Sequence, residues 1–246
     1  MPKRGNYHLC DNLEFMATPP HDGAFTEYVA WPADFVYELP ESISTREGAL
    51  CEPISVCLNA CRRGSVGVGD TVLVTGCGPI SQISMQVAYA FGADEVITTD
   101  VVSEKLERAV FHGAAHSVDV AEGDLEAEIE EYTDGEGVDV VIEVSGAEPA
   151  ITSTLDVVRR GGTVVLLGMP IEGEIPLDTL DIISNEIDIH GSFRFRNTYP
   201  DAISLLESGW VQLDGLIYFN QSLSEVNDAF ERVQGDDSVV KGMIET

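Results

Sequence analysis

One stretch decides the fold of this chain, and it reads GDTVLVTGCGPIS from Gly69 to Ser81. The apolar, β-branched run from Thr71 to Thr75 predicts a short buried strand. Gly76 and Gly78 then predict a tight turn, followed by an apolar helix over residues 79–91. Glycines at such a turn let the backbone approach a pyrophosphate, whose charge is stabilised by the amides at the helix N-terminus. The stretch therefore predicts the first half of a dinucleotide-binding βαβ unit.

The second half of that unit ends in an acidic residue. Asp100 closes the next predicted strand about 20 residues after the turn, where a carboxylate can bond the ribose hydroxyls of an adenosine. The third small residue of the usual glycine pattern is Ser81 here, which makes the motif alone a weak signal. A methyltransferase could open in the same way. The strand before, the helix after and the acid at the next strand end together favour a nicotinamide dinucleotide.

The composition is that of a very acidic globular protein. The 246 residues carry 43 acidic and 13 basic side chains, a formal net charge of -30, and 44% of them are hydrophobic. Such a surface repels nucleic acid and anionic membranes, which excludes both as partners. Because only Lys3, Lys105 and Lys241 are lysines, we expect a halophile whose cytosol contains concentrated salt. No run is long enough to span a membrane, and no signal-peptide core is present.

The cysteines and histidines indicate no site of their own. Five cysteines without a framework spacing are typical of reduced thiols in a cytoplasm. Cys57 and Cys61 lie four apart on a predicted helix, a spacing that could hold a metal, but core thiols are the better interpretation. His112 and His116 are also four apart, yet Gly113 lies between them and a third ligand is missing.

From residue 64 onward, strands and helices alternate. We expect strands at 71–75, 95–99, 117–119, 138–143, 162–167 and 187–191, with helices at 79–91, 103–111, 124–133, 147–158 and 178–184. This pattern predicts an α/β fold with a doubly wound parallel (Rossmann) sheet in the order 3-2-1-4-5-6. Ligands of such a sheet bind at the carboxyl ends of its strands.

The flanking segments differ from this middle part. Residues 1 to about 42 are rich in proline, glycine and short β-like runs, and one helix is expected over 45–63. The tail from residue 195 carries two further helices, at 199–207 and 223–233, and should return to the first segment. We therefore expect three parts: 1–55, a dinucleotide-binding domain at 56–194, and 195–246.

Several separate motifs stand out along the chain: NYHLC (6–10), ATPPHDG (17–23), GALCEPISV (48–56), ACRR (60–63), and Phe193-Arg194 followed by NTYP (197–200). These motifs resemble medium-chain zinc-dependent dehydrogenases, and the polyol branch of sorbitol and xylitol dehydrogenases matches best. The resemblance runs from end to end. It implies that residues 1–55 and 195–246 are the remnant of a barrel-like (GroES-like) catalytic domain.

The resemblance also implies an activity: NAD-linked oxidation of a secondary alcohol in a polyol to a ketone by hydride transfer, with zinc polarising the substrate oxygen. Glu52 and Arg194 would be catalytic, and Phe15, Thr18 and Phe195 would line the substrate pocket. Asp100 would favour NAD over NADP, and Lys105 would temper that preference. The cofactor-binding residues would be Gly76, Gly78, Pro79, Ile80, Asp100, Lys105, Leu167, Gly168, Met169, Ser192, Phe193 and Arg194.

One departure from the family concerns its metals. The cysteine and the His-Glu pair that hold the catalytic zinc in the family are not present in this chain, and of the four structural-zinc cysteines only Cys10 has a counterpart. A lone thiolate cannot build a tetrahedral site. We therefore expect the chain to be the C-terminal two-thirds of a polyol dehydrogenase. Its expected partners are further copies of itself in a homo-oligomer, or the missing N-terminal lobe.

Two other functions remain open from the sequence: a non-catalytic NAD-binding remnant, and a zinc-free enzyme of the quinone-reductase type. Individual residues also have plainer interpretations. Glu52 can serve only the local charge of a helix end, Arg194 can be a surface ion-pairing residue, and Lys105 can pair with Glu104 or Asp100 in solvent.

Overall fold

The centre of the molecule is a six-stranded parallel sheet. The computed structural model describes residues 5–171, 173–212 and 214–246. The strands are β1 (Thr71–Thr75), β2 (Glu95–Asp100), β3 (His116–Asp119), β4 (Val138–Glu143), β5 (Val158–Leu166) and β6 (Asp188–Gly191). Their order is β3-β2-β1-β4-β5-β6, and every pairing is parallel. The predicted topology is confirmed, and its switch point lies between β1 and β4, where ligands of such sheets bind.

Helices cover both faces of this sheet. Their bounds are α1 (Thr45–Gly48), α2 (Cys51–Arg63), α3 (Pro79–Phe91), α4 (Ser103–Phe111), α5 (Leu125–Tyr132), α6 (Glu148–Thr152), α7 (Thr154–Val157), α8 (Thr179–Ser184), α9 (Tyr199–Glu207) and α10 (Val226–Gly235). Alternate residues of β1 face opposite ways: Val72 and Val74 join the core with α2 and α3, whereas Leu73 joins the core with α5 and α7. In both cores, apolar side chains at alternate strand positions pack against the apolar faces of the neighbouring helices.

Two predicted helices are interrupted. The helix expected over 45–63 divides into α1, which begins in a capping box of Ser44 and Glu47, and α2. Pro53 explains the break, because proline has no N–H and is tolerated only in the first turn of a helix. The helix expected over 147–158 divides into α6 and α7, and β5 begins at Val158 rather than at residue 162. The extra length of β5 contains an irregular register and Gly161 at φ 67°.

Residues 5–42 form no strand, contrary to the β-like runs of the sequence. In this segment the structure has only two short 3-10 helices, Tyr7–Leu9 and Ala33–Phe35. A strand needs a neighbour to pair its N–H and C=O groups, and the described part of the chain offers these residues none. The segment instead packs by side chains on the C-terminal part, since Tyr7 accepts a hydrogen bond from the Asn197 amide at 2.8 Å and Phe25 lies against Phe230.

The C-terminal part adds a small second sheet. Its strands, β7 (Ile217–Ser222) and β8 (Lys241–Glu245), pair in parallel and pack against α10. No helix among the described residues has both the length and the apolar character needed to cross a membrane.

Candidate functional site

The glycine turn after β1 has the geometry that a bound phosphate needs. Gly76 has φ +79°, a left-handed conformation that side chains rarely adopt. A Cβ on Gly78 would meet no atom within 4 Å, so open space lies beside the backbone. Ser81, the departure from the glycine pattern, is buried and donates its hydroxyl to the Thr75 carbonyl at 3.3 Å. The serine therefore fits the helix against the strand end and leaves the turn intact.

Asp100 stands beside this turn with a firmly held carboxylate. Its Oδ2 accepts a hydrogen bond from the Cys77 amide at 2.6 Å, and its Oδ1 accepts from the Val101 and Val102 amides at 2.8 and 3.0 Å. A carboxylate offers about four lone-pair positions, so three donors leave room for a ribose hydroxyl. The position and remaining capacity of Asp100 fit the ribose of a dinucleotide.

Two further loops meet at the same edge of the sheet, after β4 and after β5. A Cβ on Gly146, which has φ +71°, would lie 2.7 Å from the Met169 carbonyl oxygen, and one on Gly168 would overlap the Gly146 amide. Only glycines can occupy these positions without moving the backbone. A crevice lies at the switch point of the sheet, beside the Gly76–Gly78 turn. The loops of residues 144–146 and 167–169 therefore form one tightly fitted wall of this crevice.

Glu143 fixes this wall, and sequence reasoning missed it. The side chain is fully buried, and its Oε1 accepts hydrogen bonds from the Thr75 hydroxyl, the Ser145 hydroxyl and the Gly146 amide at 3.1, 2.7 and 3.0 Å. Its main-chain carbonyl accepts from the amides of residues 167 and 168. The signal in the sequence is an acid that ends an otherwise apolar strand, since buried carboxylates normally have such partners.

A second group of predicted residues surrounds Arg194. This arginine has φ +50°, and its guanidinium lies 3.9 Å from the ring centroid of Phe15 and 5.0 Å from that of Phe193. Phe15 also contacts Phe195, with ring centroids 6.3 Å apart, and the Thr18 amide donates to the Phe15 carbonyl at 3.1 Å. The structure thus brings the predicted pocket residues together. A left-handed non-glycine residue among them is typical of functional loops.

Glu52 lies in the first turn of α2 and is half-buried. Burial raises the pKa of its carboxyl, while the charges of Lys241 and Arg194 oppose the rise. Burial likewise lowers the pKa of Lys241, and Glu52 counteracts this. The pKa of Tyr199 rises to about 12, chiefly through burial and then through the charge of Glu52. Glu52, Arg194 and Lys241 therefore interact electrostatically, and Lys241 is a member that the sequence did not single out.

Replacing this carboxyl should make the stability depend differently on pH. A carboxyl whose pKa is higher in the folded than in the unfolded protein destabilises the fold once it ionises. Glu52→Gln should therefore have a higher urea midpoint than the parent at pH 8, and the difference should vanish at about pH 3, where the carboxyl is protonated in both states.

The matched control is Glu47→Gln. Hydrogen bonds from Ser44 lower the pKa of Glu47, so this substitution should lower the midpoint at pH 8. Equal shifts of the same sign in both variants would contradict the buried position of Glu52.

The other predicted cofactor residues lie around the same edge. Pro79 and Ile80 open α3, Leu167 packs on the core, and Met169 is 79% exposed at the rim. Ser192 is buried and accepts a hydrogen bond from the Asn59 amide at 3.1 Å. Lys105 is half-buried on α4 and makes no ion pair within 4 Å with any described residue, so the simple ion pair with Glu104 or Asp100 is absent.

The residues of the described ranges do not fit a zinc ion. They contain no group of three or more His, Cys, Asp or Glu side chains that could hold a metal. Cys10 is half-buried and free, and the other four cysteines are buried, free thiols. A tetrahedral zinc site needs three or four such ligands. We therefore assign no step of the chemistry to a metal held by these residues.

The comparisons identify the family. A model of zinc-binding dehydrogenases matches residues 79–208, and the chain belongs to that family. It is 43% identical over 230 residues to a sorbitol dehydrogenase of Bacillus subtilis. The matched region covers 94% of this chain and 65% of that relative. The chain thus spans about two-thirds of the length of that enzyme.

Solved structures agree with this family. The 2R,3R-butanediol dehydrogenase from Bacillus subtilis superposes with a TM-score of 0.93 at 29% identity, over 99% of this chain and 70% of that one. A putative zinc-binding dehydrogenase from Sinorhizobium meliloti, solved with NADP, has a TM-score of 0.84 at 32% identity over 90% of this chain and 66% of its own. An alcohol dehydrogenase from Escherichia coli, solved with NADH, has a TM-score of 0.89 at 25% identity over 94% and 68%.

Proposed function

We propose that this chain belongs to a polyol dehydrogenase of the sorbitol and xylitol type. It would bind NAD and would supply the side chains that orient the substrate. The observation that carries the proposal is the crevice at the switch point of the sheet, where the Gly76–Gly78 turn, Asp100 and the 144–146 and 167–169 loops converge. The identity with a sorbitol dehydrogenase supports the substrate class. NAD would accept a hydride from the carbon that bears the alcohol.

The side chains around Arg194 suit a polyhydroxylated substrate. The guanidinium of Arg194 is held over an aromatic ring and retains N–H groups for substrate hydroxyls. Glu52, half-buried with a raised pKa, is suited to exchanging a proton with a hydroxyl group. Phe15, Thr18 and Phe195 would enclose the carbon chain. We propose Glu52 and Arg194 as catalytic residues and these three as the pocket.

We propose the same three parts as in the sequence: 1–55, the NAD-binding domain at 56–194, and 195–246. The first boundary falls within the continuous helix α2, so the helix would link two domains. The partners proposed are a small polyol and either further copies of this chain or a lobe equivalent to the rest of the relatives' length. The acidic surface supports a cytoplasm of high salt, because counterions screen the self-repulsion of a net charge of -30.

Asp100 provides a direct test of the cofactor. Asp100→Ala should weaken NADH binding by about 1–3 kcal/mol, the cost of leaving buried hydrogen-bonding partners unpaired. It should also reduce the preference for NADH over NADPH, because the carboxylate that repels a 2′-phosphate is gone. Titration of NADH and NADPH fluorescence in concentrated KCl measures both effects. Asp119→Ala, on the neighbouring strand β3, is the control, and an unchanged NADH affinity in Asp100→Ala would refute the cofactor assignment.

The proposed activity is tested by NAD-dependent oxidation of sorbitol and xylitol, followed as NADH absorbance. The folded chain is assayed in concentrated KCl with and without added zinc. Turnover that requires zinc supports the dehydrogenase proposal and indicates ligands beyond those described. Turnover independent of zinc favours a reaction of the quinone-reductase type.

A second candidate is a cofactor-binding protein without catalysis of its own. This candidate is favoured because the described residues contain no group of three or more His, Cys, Asp or Glu side chains that could hold a zinc ion. Folded protein that binds NADH but oxidises neither polyol, with or without zinc, would support this candidate.

A further inference from the structure

Tyr199 adds a further aromatic ring to the pocket around Arg194. It is the first residue of α9, and helical side chains lean towards the N-terminus of their helix, here towards the loop that carries Phe195. The centroids of the Tyr199 and Phe195 rings lie 5.6 Å apart, and Phe195 contacts Phe15. On its other side Tyr199 is stacked on Tyr37, with ring centroids 5.1 Å apart. Tyr199 is therefore continuous with the rings that hold the Arg194 guanidinium.

The hydroxyl of Tyr199 has no partner in the part of the chain that the structure describes. The side chain is half-buried, yet none of the described residues forms a hydrogen bond with its hydroxyl. Tyrosine hydroxyls usually have a partner when they are removed from water. The carboxylate of Glu52 likewise makes neither a hydrogen bond nor an ion pair within 4 Å with a described residue. Two polar groups of the pocket are thus left for a ligand.

The two groups are complementary in their hydrogen-bonding roles. Burial raises the pKa of Tyr199 to about 12, and the charge of Glu52 is the next cause of the rise. At neutral pH the Tyr199 hydroxyl therefore keeps its proton and is a donor, whereas an ionised carboxylate can only accept. A donor and an acceptor that influence each other without bonding to each other leave room for a group that both accepts and donates.

We propose that Tyr199 is a substrate-binding residue of the polyol site, whose hydroxyl donates a hydrogen bond to the polyol hydroxyl next to the one that is oxidised. This inference rests on the proposed polyol dehydrogenase function. Glu52 is the group proposed there to exchange a proton with the hydroxyl that reacts, which assigns the adjacent hydroxyl to Tyr199. Each hydroxyl of a polyol can donate one hydrogen bond and accept two, so a vicinal diol satisfies both side chains at once.

In this role Tyr199 determines specificity for vicinal diols. In butane-2,3-diol the second hydroxyl can accept the hydrogen bond from Tyr199. In butan-2-ol the corresponding carbon carries only hydrogen, so the Tyr199 hydroxyl stays unpaired when the ligand covers it. A site that is built to bond a hydroxyl discriminates against the analogue that lacks it, because its own polar group then has no partner.

Titrations by saturation-transfer difference NMR test the proposal, with sorbitol as the ligand. The protein is kept in concentrated KCl with NADH, which cannot accept a hydride, so that no turnover disturbs the titration. Tyr199→Phe keeps the ring and loses the hydroxyl. Its dissociation constant for sorbitol should rise by roughly three- to tenfold, the range for loss of one hydrogen bond. The affinity for butane-2,3-diol should fall by a similar factor, whereas the affinities for butan-2-ol and NADH should be unchanged.

Tyr37→Phe is the matched control. It removes a hydroxyl from the neighbouring ring of the same stack, and the charged group that acts on Tyr37 is Tyr7 rather than Glu52. This variant should bind sorbitol like the parent.

Three results would overturn the role of Tyr199. They are a parental affinity for sorbitol in Tyr199→Phe, an equal loss of sorbitol affinity in both variants, and a loss for butan-2-ol as large as that for the diol. A loss of NADH affinity that parallels the loss of sorbitol affinity also overturns it, since a disturbed fold would affect both ligands. Absence of sorbitol binding to the folded parent overturns the proposed function itself, which distinguishes the two failures.

Discussion

Gly168→Ala should lower the free energy of unfolding by about 3 kcal/mol, the upper part of the range for inserting a methyl group into a packed interior. The added carbon would overlap the Gly146 amide and lie 2.7 Å from Oε2 of Glu143. Neither neighbour can move easily, because one is backbone and the other is a fully buried carboxylate held by three donors. The substitution should therefore open the wall of the crevice as well as weaken the fold.

Urea unfolding in concentrated KCl measures this effect, with Gly191→Ala as the control. Gly191 also ends a strand of the sheet, but a Cβ there would meet no atom within 4 Å. Its midpoint should stay close to that of the parent. Equal midpoints for the two variants would show that the 144–146 and 167–169 loops separate without cost.

Gly78→Ala should have the opposite signature: a parental stability and a greatly reduced affinity for NADH. A methyl group there enters the open space beside the turn and touches no protein atom within 4 Å. The same space is where the backbone must approach a pyrophosphate. We expect a loss of about 1–3 kcal/mol in binding, equivalent to roughly five- to 150-fold in the dissociation constant.

The control for Gly78→Ala is Gly235→Ala in α10, where a Cβ also meets nothing within 4 Å. It should bind NADH like the parent. If Gly78→Ala binds NADH as tightly as Gly235→Ala, the pyrophosphate does not lie at this turn. The two variants distinguish two roles of glycine in the crevice. Gly168 allows the loops of the wall to pack closely, whereas Gly78 leaves space for the pyrophosphate.

The Rossmann sheet could be predicted because its signals are local. Each strand is a short apolar run bounded by turn residues, as Thr71 to Thr75 illustrates. Right-handed βαβ crossovers reduce the possible topologies, and the dinucleotide-binding turn favours the strand order of the Rossmann fold. Pro53 could have predicted the break between α1 and α2 in the same way, since proline restricts its place in a helix. The β-like runs before residue 42 were misleading, because strands depend on partners that no single run contains.

The site was predictable only where a motif is contiguous. Gly76, Gly78 and Asp100 follow from spacing, whereas Glu52, Arg194 and Phe15 were chosen by resemblance and their roles remain proposals. Glu143, Lys241 and Tyr199 were not singled out, because their significance arises from burial and from contacts between residues far apart in the chain. Tyr199 stacks on Tyr37 of the N-terminal segment, and no periodicity in the sequence records that pairing.

The unequal burial of the thiols has a practical consequence for experiments. Cys10 is half-buried, whereas Cys51, Cys57, Cys61 and Cys77 are buried, and burial raises the pKa values of these four thiols. Because the thiolate is the nucleophile, a maleimide dye added to the folded protein should attach at Cys10 alone. The native sequence thus offers a single labelling position on the N-terminal segment for fluorescence work without cysteine removal.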